Sequence, residues 1–268
     1  MKLEFKISKI ALIRDAFFWN EKMREKEKKE PFAFWSKIEK QLWEKYKDDP
    51  FYYLINPIHS NWGLNELFIQ SEEKGIEKIL SDTAKGIEKI SQEIIKSKEF
   101  KKIFSEKIDY KNFVEEQWEK NNEVVWKYFK EVLNINIPKD KISVYIFHNK
   151  TYHGNANPNT KTILWAHSED WKNYTTVYLA HEILHLLADK KCEDQEIMHA
   201  LIELATDNEL RIRLNKKGQY FKETKYNIGH KYLRPLEKKI LPYWKKFLTE
   251  KNKNIFQLEK EIIKKGCI

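Results

Sequence analysis

The chain has 268 residues, room for one large domain or two modest ones, with 34% charged residues and a formal net charge of +9. No apolar run approaches the roughly 18 residues that a membrane-spanning helix needs, and two cysteines, Cys192 and Cys267, exclude a disulfide scaffold. Lysines and glutamates are interspersed rather than gathered into a basic stripe, which argues against nucleic acid as a partner.

The stretch through Lys22 is interrupted by Lys6, Lys9, Arg14 and Asp15 and lacks a small-residue cleavage site, so no secretory leader is expected. A cytoplasmic location follows as the expectation. From Pro31 to about Asn134, Lys, Glu, Ile and aromatic residues recur at helical spacing with few breakers, which predicts a mostly helical half. KGIEKI occurs twice there, at Lys74 to Ile79 and Lys85 to Ile90, and both copies fall on one helix face. Trp19, Trp35, Trp43 and Trp62 read as core, and His59 as a loop or packing histidine. Val114, Trp118, Val125, Phe129 and Val132 mark one face of a helix ending near Leu133.

The texture changes at Ser143 to Phe147 and again at Thr162 to Ala166, two β-branched and aromatic runs that predict strands. The NKTYHGNANPNT between them is polar and rich in asparagine, and reads as a long binding loop.

Asn173 to Leu187 reads as a helix with Asn173 as N-cap and Val177, Ala180, Ile183, Leu184 and Leu187 as its packing side. Within it, His181-Glu182-Ile183-Leu184-His185 is an HExxH motif. Residues four apart are neighbours on a helix, so the two imidazoles converge on one ion while Glu182 points toward a water beside it. The next helix, capped by Asp194, runs back antiparallel and carries Glu203 as candidate third ligand, which leaves one position open as catalytic zinc requires. Asp207, one turn on, is placed to accept the free ring N–H of a ligating histidine. His199, one turn before Glu203, is a rival ligand, with pocket wall or core histidine as the plainer reading.

HEILH followed by ELATD resembles the gluzincin zinc peptidases, the thermolysin-like and aminopeptidase-like group, over roughly residues 142–241. The resemblance implies an α+β, predominantly helical fold. In it a zincin-like catalytic domain with a small mixed sheet and an active-site helix spans residues 111–268, after a helical region at 1–110. It implies one zinc ion, a peptide or protein substrate, and Glu182 as general base. It further implies an edge strand at Ile163, Leu164 and Trp165 that holds the substrate extended, with Asn155 and Ala156 binding its backbone. Tyr226-Asn227-Ile228-Gly229 is similar to a YxxG signature at a helix start, which makes Tyr226 a candidate donor to the oxyanion, with His230 as its rival. Two other readings stay open: a regulatory peptidase acting on one partner protein, and a zinc-binding scaffold without turnover.

Overall fold

The computed structural model describes residues 1–9, 12, 92–147, 152–223, 225–250 and 252–266. The KGIEKI repeat, His59 and the four early tryptophans lie outside them. The chain divides into two units, one of Met1–Phe5, Phe113–Val144 and Tyr152–Ile268, the other of Lys6–Asn112 and Tyr145–Thr151. The described elements run β1 (Lys2–Lys6), α1 (Lys98–Glu131), β2 (Lys141–Ile146), β3 (Tyr152–Asn157), β4 (Thr162–Ala166), α2 (Tyr174–Ala188) and α3 (Gln195–Ile202). A π-helical segment, Glu203–Leu210, follows, then α4 (Arg211–Asn215), β5 (Lys222–Glu223), β6 (Tyr226–Asn227), α5 (Arg234–Phe247) and α6 (Ile255–Lys264). This is an α+β architecture with six helices and a small mixed sheet among the described residues. None of the described helices is long and apolar enough to cross a membrane.

Helix α1 buries Val114, Trp118, Val125 and Phe129, the face that the apolar spacing marks, while Val132 stays half-buried beyond its end. The four-stranded sheet has the order β1-β2-β4-β3. Two expectations change here. The asparagine-rich segment read as a loop contains a strand, β3, paired antiparallel with β4 through Asn155 with Leu164 and Ala156 with Ile163. Its one-sided pairing tolerates residues of low strand propensity, and the register slips between Tyr152 and Asn155. The edge strand is therefore β3 and not β4, whose Ile163, Leu164 and Trp165 are fully buried.

Helix α2 packs against β3 on one side and against α3 and the π segment on the other. Val177, Ala180 and Ile183 form its core face with Ile197, Leu201 and Leu204 from the second helix. Asn173 occupies the N-cap position in a left-handed conformation, φ 62°, but its side chain makes no cap bond. The carboxylate of Glu169 accepts from the backbone N–H of Tyr174 and Thr175 at 3.0 and 2.8 Å, and Gln117 Oε1 accepts from that of Thr176 at 2.9 Å. Asp194 caps α3 as its position predicts, accepting from the N–H of Glu196 and Ile197. The expected helix at His230 instead starts at Arg234, with Pro235 in its first turn, and Tyr226 lies in the β5–β6 hairpin.

Candidate metal centre

Two side chains one turn apart on α2 meet over its buried face: His181 Nε2 and His185 Nε2 are 3.0 Å apart. Two imidazoles on a tetrahedral ion at about 2.0–2.1 Å would stand roughly 3.3 Å apart, so little adjustment separates this pair from a ligand pair. Burial holds both rings neutral, pushing His181 down to about 4 and His185 down to about 3. The far nitrogen of His181, Nδ1, lies 2.9 Å from Asp207 Oδ1, and both side chains are buried. Thr206 Oγ1 lies 2.9 Å from the same carboxylate oxygen. The ring of His181 is thus turned with Nε2 toward His185.

The π segment explains how Asp207 reaches that position. Four of the carbonyls in and just before it accept side-chain donors: Ile202 from Thr206 Oγ1, Glu203 from Asn208 Nδ2, Ala205 from the Tyr128 hydroxyl, and Asp207 from Arg211 Nε. These bonds satisfy a backbone that has left the α-helical ladder. Glu203, Thr206, Asp207, Asn208 and Arg211 are all fully buried, a polar core behind the histidines.

Glu203 turns toward the loop ahead of α5. Its Oε1 and Oε2 accept from the backbone N–H of His230 at 2.9 and 3.0 Å, and Oε1 also pairs with His230 Nδ1. Gly229, at φ +76°, lies so close that any Cβ there would overlap the carboxylate. His199 Nε2 is 3.7 Å from Glu203 Oε1. Two groups of donors consequently lie within ion-binding reach, His181 with His185 and His199, and His199 with Glu203 and His230. The sequence places Glu203 with the imidazole pair; the structure gathers His199 there and Glu203 with His230.

Glu182 sits on the opposite side of the histidines, against β3. A Cβ on Gly154, at φ +113°, would come within 2.7 Å of Glu182 Oε1, and a backbone hydrogen bond from Ala156 reaches the same carboxyl. Burial, reinforced by the charge of Asp207, pushes Glu182 up to about 8. Two cavities of about 370 Å³ open on either side and share Gly154, His181, Glu182 and His230. One continues along Asn155, Ala156, His185 and His199; the other is walled by Trp171, Tyr174, Tyr178 and Tyr226. Tyr226 therefore lines one cavity and His230 both, and the contact with Glu203 raises the pKa of His230.

The donor set fits a divalent transition ion: neutral imidazoles converge, one is oriented by a carboxylate, and His199 Nε2 is buried without a hydrogen-bond partner. His199 belongs to this set although its sequence context reads more plainly as pocket wall. The signal lay in its spacing from Glu203, which puts both on one helical face. Gly154 carries no motif and Gly229 enters the sequence reading only as the end of the YxxG run; their positive φ and close approach to the two glutamates reveal what they do. Against known proteins, no family model, no curated protein and no solved structure matches this chain.

Proposed function

We propose that the protein is a zinc-dependent peptidase with a zincin-like catalytic domain. The observation that carries this reading is the convergence of His181 Nε2 and His185 Nε2 at 3.0 Å, with Asp207 behind one ring and Glu182 beside both, at the meeting of two cavities. His181 and His185 would hold the ion, and the second helix offers a further donor from His199 or Glu203. A bound dication acidifies water toward a pKa of about 7, polarises a carbonyl, and favours the ionised form of Glu182.

The chain supplies the rest. Glu182 takes a proton from the attacking water at its carboxylate and passes it to the leaving amine. The outer edge of β3, unpaired with another strand among the described residues, offers backbone donors and acceptors to an extended peptide. His230, on both cavities, is placed to donate to the oxyanion that develops on the substrate carbonyl, with Tyr226 as a second donor in the aromatic cavity.

The test pairs metal analysis with Glu182→Gln. The wild-type chain is expected to bind one zinc and cleave a peptide library. The variant keeps the zinc and loses about 10²–10⁴-fold in rate, the usual contribution of a positioned general base. Wild-type turnover in Glu182→Gln, or a chain that binds no zinc, overturns the reading.

A further inference from the structure

We infer that the third protein ligand is His199, so that the centre is built from three imidazoles, with Tyr232 as the residue that orients the third. The inference rests on the metallopeptidase reading above and departs from the expectation that Glu203 binds the ion.

Three observations carry it. The rings of His181, His185 and His199 surround one point: centroid separations are 4.8, 4.7 and 5.5 Å, and His199 stands edge-on to both others at 75° and 76°. The three residues also offer ligand nitrogens that lie within 4.8 Å of one another, a spacing from which one ion could gather them. The Nε2 of His199 is buried without a hydrogen bond, with Glu203 Oε1 standing 3.7 Å away, an arrangement that costs about 1–3 kcal/mol in a protein interior unless something meets the nitrogen. A cation at the point where His181 Nε2 and His185 Nε2 already meet would do so.

The opposite nitrogen of His199 has its own partner. Tyr232 Oη lies 3.4 Å from His199 Nδ1, and its ring is otherwise 65% exposed at the rim beside His230. A large aromatic residue left this exposed next to a polar site gains little from packing there. Accepting the Nδ1 proton of His199 gives it the same task that Asp207 performs for His181.

Glu203, by contrast, is engaged. Both oxygens accept the His230 backbone N–H, Oε1 also takes the His230 side chain, and Gly229 covers the carboxylate. Binding an ion through Glu203 would add to a carboxylate that already takes the backbone and side-chain donors of His230. His199 Nε2 carries no such hydrogen bond. The carboxylate then serves as a positioning residue that fixes His230 over the two cavities. An all-imidazole centre also leaves the full double charge of the ion to act on a substrate carbonyl, which a carboxylate ligand would partly cancel.

X-ray absorption at the zinc edge on the zinc-loaded full chain counts the ligands without any substitution. Three imidazoles plus one lighter oxygen ligand are expected. Two imidazoles with a protein carboxylate would overturn the inference and leave the peptidase reading standing, whereas a chain that takes up no zinc would overturn both. Zinc affinity, measured by competition with a chromophoric chelator, supplies the second arm. His199→Ala should lose more than the roughly 100-fold that marks the upper range for outer partners, Tyr232→Phe up to about tenfold, and Glu203→Gln less than about tenfold. The reverse ranking of His199→Ala and Glu203→Gln would also overturn it.

Discussion

Helix α2 and the α3–π helix lie side by side and both deliver ionisable groups to the same point, yet they do so by different rules. In α2 the regular ladder alone brings His181 and His185 together, and the flanking residues need only be apolar. In the second helix, which widens at Glu203, position is set by side chains that bind its own carbonyls, from Tyr128, Thr206, Asn208 and Arg211. A regular helix carries its geometry in its spacing; a widened one borrows it from tertiary partners.

Asn208→Ala breaks that contrast most directly. Asn208 Nδ2 donates to the Glu203 carbonyl at 2.9 Å, and its Oδ1 accepts the Phe221 N–H at 2.6 Å, so one side chain ties the π segment to the following hairpin. Losing both leaves two groups unmet at about 1–3 kcal/mol each, and a destabilisation of about 2–6 kcal/mol in urea unfolding is expected. An equivalent polar deletion on the exposed side of α1, Asn122→Ala, should change stability by less than about 0.5 kcal/mol. Equal effects would mean that the widened helix does not depend on these bonds.

Asp207→Asn sharpens the comparison from the other side, since it removes what the π segment gives to α2. Its carboxylate accepts from His181 Nδ1 at 2.9 Å and is buried with Oδ2 unpartnered. Replacing it with a neutral amide should lower zinc affinity about 10–100-fold with the fold intact, the usual effect of losing a histidine's outer partner. Unchanged affinity would show that His181 orients itself.

The same contrast explains what the sequence reveals. The α+β class, α2, the cap at Asp194 and the proximity of His181, Glu182, His185 and Asp207 follow from periodicity and short-range spacing. The parts that spacing does not reveal depend on distant partners. Strand β3 is held by its pairing with β4 and not by its asparagines. Ile163, Leu164 and Trp165 are interior because another strand covers them. Glu203 faces His230 because Gly229 lets a loop from beyond the hairpin approach it. Asn173 caps nothing because Glu169 and Gln117 arrive first.

Titration gives the smallest effect and separates the histidines of the centre from its carboxyls by sign. Burial lowers His181 to about 4, and His185 and His199 to about 3, from an ordinary 6.5. The metal-free folded chain therefore refuses protons that the unfolded chain binds, and this contribution, complete above about pH 6.5, is lost as pH falls below it. Burial raises Glu182 and Glu237 to about 8 and Asp207 to about 7, so the folded chain keeps protons that the unfolded chain releases above about pH 4.5. That contribution is present at low pH and lost as pH rises toward 8. Between about 4.5 and 6.5 three histidines and three carboxyls oppose one another and stability is nearly flat; above 6.5 the carboxyls act, and His230, raised by Glu203, acts in the same direction. The metal-free Tm should fall by a few degrees between pH 6.5 and 8, at about 2–4 °C for each kcal/mol. A bound dication should reverse the slope, because it favours ionised Glu182 and requires neutral imidazoles. A metal-free chain that gains stability across that interval would mean that these carboxyls are already ionised in the fold, and that the polar core behind the histidines is charged without the ion.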